Sequence, residues 1–223
     1  MATLINIIGF LAAATAAAVS PLQLIALVRS DDTARSAQTV SLGTLSLICL
    51  CNTLWFVYGI NHGAIWSAVL AVVAVTVQLS ILAICAATKR APLALTVGLP
   101  IAMVAAGFAA TYTPAAVLGA IAATMSVANY LPATKRRLDS FRSGEYLREQ
   151  TVYSTPMSIT MTTTNVLWIT YAVLIRDVWV GLPCVVNLAI GLAFTAMNLH
   201  RTRTLRPAAR HNVDDRLSQL HRV

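Results

Sequence analysis

Asn52 and Trp55 stand three residues apart in Asn52-Thr-Leu-Trp55-Phe-Val-Tyr58, and the pair returns in Asn165-Val-Leu-Trp168-Ile-Thr-Tyr171. Side chains three apart share one face of a helix, and Gly59 and Ala172, two turns on from the asparagines, extend that face. Each helix therefore presents an amide, which donates and accepts, beside a flat indole. Such a surface suits a neutral, hydroxyl-rich ring such as a sugar, whose C–H face stacks while its hydroxyls pair. A plainer reading makes the asparagines interhelical glue, at ~0.6 kcal/mol per bond, and the tryptophans interface anchors. For Asn52 and Asn165 both readings stay open. For Trp55 and Trp168, flanked by apolar residues, a pocket role is favoured. Trp66 and Trp179, at the ends of two later apolar runs, read as anchors.

The two copies lie 113 residues apart, and the register extends beyond them: Ser41 matches Ser154, Gly43 matches Pro156 and Trp66 matches Trp179. All four tryptophans fall into two equivalent pairs. Several matches at one offset indicate an internal repeat, two related halves with a ligand held between them.

The composition is 57% apolar and 11% charged, with mean hydropathy +0.72, which is too apolar for a soluble domain of this length. The net charge of +8 does not point to nucleic acid, because the basic residues sit between apolar runs and in the tail. Apolar runs cover about 3–28, 40–60, 63–86, 91–110, 114–133, 152–174 and 177–199. The first is too long for a signal-peptide core. At ~1.5 Å per residue such runs cross a bilayer core of ~30 Å, and they are too long and continuous for barrel strands. Of the sixteen basic residues, Arg176 alone falls on one side of the resulting topology, and the other fifteen lie in 29–39, 87–90, 134–151 and 200–223. This places the N-terminus outside and the C-terminus in the cytoplasm of a multi-pass protein of the cell (plasma or cytoplasmic) membrane.

The fold expected is an all-α membrane protein of seven transmembrane helices, arranged as two parallel three-helix repeats joined by a linker helix (3+1+3). The boundaries are 1–86 for the first bundle, 87–113 for the linker, 114–199 for the second bundle and 200–223 for a basic tail expected to be largely disordered.

No Asp, Glu, Lys, Arg or His lies well inside these spans, which argues against a proton-driven pump. Lys89 and Lys135 lie in loops, so a retinal Schiff base is excluded. An intramembrane protease needs a Ser–Lys or Asp–Asp pair or a His-rich metal site in the bilayer, none of which is present, so no enzyme is expected. Cys49, Cys51, Cys85 and Cys184 lie inside apolar runs without metal-like spacing, so no metal and no cofactor is expected. Proline removes a backbone hydrogen bond and bends a helix. Pro21, Pro132 and Pro156, with Gly43 at the position matching Pro156, lie near one membrane face and read as a ring of hinges.

Ser20-Pro21-Leu-Gln23, Val40-Ser41, Leu54-Trp55-Phe-Val-Tyr58-Gly59, Pro156, Trp168-Ile-Thr-Tyr171 and Arg176-Asp177 followed by Pro183 together resemble the SWEET (MtN3/saliva) sugar transporters of the PQ-loop superfamily. Pro21 and Gln23 look like the family's Pro-Gln motif with one residue inserted, and the likeness covers most of residues 10–195. It implies facilitated, bidirectional diffusion of a mono- or disaccharide by alternating access, with Trp55 and Trp168 in a central pocket. It also implies one asparagine from the third helix of each half. This chain departs there: in the second half Cys184 follows Pro183 and Asn187 lies one turn deeper, and the third helix of the first half has no asparagine. The departures leave room for a PQ-loop transporter of an amino acid or other small metabolite. A membrane receptor or assembly factor, docking partners or lipid through the basic tail, is the reading from a different class. A homo-oligomer is neither required nor excluded by the sequence.

Overall fold

The computed structural model describes residues 1–19, 21–38, 40–143 and 155–220, and these form helices joined by short turns. In order they are α1 (Ala2–Val19), α2 (Leu22–Val28), α3 (Thr33–Gln38), α4 (Leu42–His62), α5 (Ile65–Ala87), α6 (Leu93–Thr111), α7 (Ala115–Arg142), α8 (Thr155–Ile175) and α9 (Val178–Leu220). Helices α4, α5 and α6, with Ala115–Pro132 of α7 and Val178–Met197 of α9, are long and apolar enough to cross a bilayer. The first and sixth expected spans carry the shorter apolar stretches Ala2–Ala18 and Ile159–Ile175. The chain is an all-α protein consistent with seven spans. Helix α6 shows why lipid must surround it: Val97, Ile101, Val104 and Phe108 form an exposed stripe at helical spacing.

The turns follow from local chemistry. Ser41 caps α4 by accepting a hydrogen bond from the Thr44 amide at 3.3 Å. Gly63 ends α4 in the left-handed region at φ 76°, where the absence of a Cβ removes the steric penalty. Arg176, which occupies the repeat-related place after α8, takes φ 57° with a full side chain. Asp177 then starts α9, and its Oδ1 accepts from the amides of Trp179 at 3.0 Å and Val180 at 3.3 Å.

The packing repeats as the sequence does. Helix α5 packs against both α1 and α4, and α9 packs against both α7 and α8. Between the halves, α1 lies on α8 and α4 lies on α7, an exchange that an internal two-fold would produce. Helix α6 lies against α4, with Gly107 facing Thr53 and Val57. Small residues allow the close approaches, as is usual where lipid offers no hydrophobic drive between helices. Ala64, Ala68, Ala71 and Ala74 line the buried face of α5.

Three expectations are revised. The first apolar run, read as one span over 3–28, is divided at Pro21, with α1 ending at Val19 and α2 beginning at Leu22. Proline has no amide hydrogen for the preceding turn, and its ring crowds the carbonyl four residues back. Pro132, its counterpart, sits inside an unbroken α7. The tail, expected to be disordered, continues α9 as helix to Leu220. Arg, Leu and Ala, which recur from 200 onward, are among the stronger helix formers. Pro156 lies in the first turn of α8, as expected, whereas the side chains of Gln23 and Pro156 lie outside the described residues.

Candidate substrate site

Trp55, Trp168 and Cys184 belong to one core cluster with Tyr58, Tyr171, Ala12, Ala13, Leu118 and Val180, drawn from both halves. Helices α4 and α8 supply the tryptophans, and each indole meets the tyrosine one turn on, edge to face. The Trp55–Tyr58 centroids lie 5.5 Å apart at 86°, and those of Trp168–Tyr171 lie 5.6 Å apart at 80°. This is a favourable aromatic geometry, and it occurs twice because N-x-L-W-x-x-Y puts both rings on one helix face.

The asparagines behave alike. Asn52 Nδ2 donates to the Ile48 carbonyl at 2.8 Å, and Asn165 Nδ2 donates to the Met161 carbonyl at 2.8 Å, each one turn back along its own helix. One amide hydrogen of each is thus held by its own helix rather than by a neighbouring one. Exposure differs: Asn165 and Trp168 are buried at 7% and 6%, whereas Asn52 and Trp55 are half-buried. Trp55 Nε1 donates across the halves to Ser126 Oγ of α7 at 2.8 Å. Ser126 also lies 3.3 Å from Cys51 Sγ and donates to the Ala122 carbonyl. Cys184 is half-buried, with Sγ donating to the Val180 carbonyl of its own helix at 3.3 Å. Asn187 is buried, and its Oδ1 has no hydrogen-bond partner among the described residues; the same holds for Asn129 Oδ1 and Thr164 Oγ1.

At the end away from the basic loops the two halves are bonded to each other. Tyr58 Oη lies 2.9 Å from both carboxylate oxygens of Asp177, joining α4 to the start of α9 across the halves. His62 lies against the Tyr58 ring, with centroids 4.9 Å apart. Tyr171 crosses the other way and packs, with Trp66, against Gly9 of α1. Trp66 and Trp179 are therefore more than lipid anchors. Trp66 covers Gly9 and its Nε1 donates to Asn6 at 3.3 Å, while Trp179 covers Gly119 of α7 in the equivalent contact. A Cβ at either glycine would overlap its indole.

The residues read as hinges lie toward the ends facing the basic loops. Pro21 divides α1 from α2, Gly43 is the second residue of α4 with open space around it, and Pro132 is inside α7.

No protein-family model matches the sequence, and no curated protein matches it. A structure of a eukaryotic SWEET transporter matches with a TM-score of 0.71 at 15% identity, over 90% of this chain and 99% of that one. The chain has a SWEET-like fold. The SWEET-like arrangement rests on backbone geometry, at an identity where sequence comparison carries little.

Sequence reasoning did not single out Ser126, Asn129 or Thr164, and it took Asp177 only as part of the Arg176-Asp177 element of the resemblance, with no bond to Tyr58. Asp177 carried a signal that was available, since it is an acidic residue where the repeat partner is Ala64. Ser126 carried none, because its role depends on α4 and α7 meeting across the halves.

Proposed function

We propose that the protein is a facilitative, bidirectional uniporter of small sugars, working by alternating access between its two halves. The carrying observation is the duplicated tryptophan pair. Two indoles from repeat-related helices share one cluster between the halves, with asparagines beside them and, among the described residues, no Asp, Glu, Lys, Arg or His at their depth. Stacking by Trp55 and Trp168 holds the ring, and Asn52, Asn165, Asn187 and Cys184 offer the polar contacts. The Tyr58–Asp177 bond, with the cluster beneath it, closes the end away from the basic loops. In the orientation those loops predict, that end is the outside. Pro21, Gln23, Gly43, Pro132 and Pro156 stand where the opposite end would flex. The SWEET-like fold supports this reading, since the solved structure it resembles is of a transporter.

The test is uptake of radiolabelled glucose and sucrose into proteoliposomes, with and without a pH gradient. Equilibrating uptake that ignores the gradient is expected. Accumulation driven by the gradient would refute uniport, and absence of uptake of both would refute the sugar reading. The alternative cargo is an amino acid or another small metabolite, since the bare oxygens of Asn129 and Asn187 accept from an ammonium as well as from a hydroxyl. Competition by a panel of amino acids against sugars separates the two.

A further inference from the structure

Among the described residues, the buried side-chain oxygens without a hydrogen-bond partner are those of Asn129, Thr134, Thr164 and Asn187. All four belong to the second half, on α7, α8 and α9. Buried polar groups in folded proteins are almost always paired, so a cluster of unpaired ones calls for a functional explanation.

Three of them form a layer. Gly119 meets Trp179, which sets the register of α7 against α9 and brings Asn129 beside residue 189. Gly181 meets Ala172 and Gly191 meets Thr162, which places Asn187 opposite residues 165 and 166. Asn129 is three residues past Ser126, the partner of Trp55; Asn187 is three past Cys184; Thr164 is four before Trp168. Each step runs toward the basic loops, so the layer lies roughly 5 Å, one helical turn, beyond the tryptophan pair. The repeat-related positions in the first half are Ala18, Cys51 and Ala74. Cys51 lies against Ser126 and the Ala122 carbonyl, and the two alanines bear no hydrogen-bonding group. Two carbonyl oxygens and a hydroxyl on one side thus face no polar counterpart on the other.

We infer that Asn129 joins Asn187, with Thr164 beside them, in a one-sided hydrogen-bond-accepting subsite. In this layer, beyond the Trp–Asn face, the substrate's hydroxyl edge is held by the second half, while the first half offers no free side-chain acceptor at the matching positions. The inference rests on the sugar-transport reading and adds one orientation for the bound sugar, because a substrate turned about the internal two-fold loses its acceptors. Asn129 is then a specificity-determining residue, in addition to the Trp–Asn face.

Counterflow of glucose and its monodeoxy analogues in proteoliposomes tests it. The wild type is expected to reject at least one analogue by on the order of tenfold or more, because a site built around a hydroxyl leaves its own group unpaired when the hydroxyl is missing. Asn129→Ala and Asn187→Ala should each abolish that discrimination, and Ala18→Ser in the first half should not alter it. Unchanged selectivity in both asparagine variants overturns the inference while leaving sugar transport intact. Thermal unfolding without sugar gives a second readout that does not need transport. Asn129→Leu and Asn187→Leu remove an unpaired buried oxygen, so their melting temperature should hold or rise, by roughly 2–4 °C. A fall in both means the amides are structural and also overturns it. If the wild type carries neither glucose nor sucrose, the transport reading fails, and the subsite stands or falls on the melting result.

Discussion

The two halves share their geometry and differ in their chemistry. At the end away from the basic loops the first half seats Trp66 on Gly9, and the second seats Trp179 on Gly119. Where α4 meets α5, Gly59 lies against Ala68; where α8 meets α9, Ala172 lies against Gly181, with the small and larger residues exchanged between helices. Space at these contacts is therefore held in common while the residue that provides it is free to move across. The polar groups are not held in common. Asp177 stands where the first half has the fully buried Ala64, and Asn187 where it has Ala74. Packing constrains volume on both sides of the two-fold, whereas a ligand or a gate needs a given group only once.

The largest expected break in the comparison comes from the tryptophans. Trp168→Ala should abolish transport and cost about 3–5 kcal/mol, because the side chain is buried. Trp55→Ala should abolish transport equally but lower the thermal midpoint less, since Trp55 is half-buried. Equal melting shifts would show that the halves pack alike here despite the difference in burial, and retained transport in both would remove the pocket assignment.

Next come Tyr58→Phe and Asp177→Asn, each expected to weaken closure by about 1.5–3 kcal/mol, the range for a hydrogen bond to a charged group. Asp177→Asn should also loosen the first turn of α9, whose amides the carboxylate holds. The readout is accessibility of a cysteine introduced beside the tryptophans to a reagent added outside, which should rise in both variants. Gly9→Ala and Gly119→Ala should each lose about 1–3 kcal/mol through overlap with their indoles. A loss in one only would mean that the shared contact is not equivalent in the two halves.

Two smaller changes sharpen it. Arg176→Gly should raise thermal stability by about 1 kcal/mol, relieving the positive φ that Gly63 accommodates in the first half. Gly181→Ala should cost a few tenths of a kcal/mol by crowding Ala172, and adding Ala172→Gly should restore the space. The double-mutant cycle reports the coupling of the pair, on the order of 0.5 kcal/mol.

Much of this was legible in the chain itself. Apolar run length determined the helices because lipid leaves backbone groups no partner but their own helix. The 113-residue offset determined that the packing would repeat, and the i, i+3 spacing placed each Trp beside its Asn. Spacing could not show that the asparagine amides turn back on their own helices, because that choice depends on what neighbouring helices offer. The interruption at Pro21 and its absence at Pro132 likewise distinguish two prolines that the sequence presents as equivalents. Tyr58–Asp177 and Trp55–Ser126 lie beyond sequence reasoning because they join residues 119 and 71 apart. Periodicity reports which face of one helix is buried, and only the packing of α4 on α7, and of α4 against the start of α9, decides which polar groups meet across the two-fold.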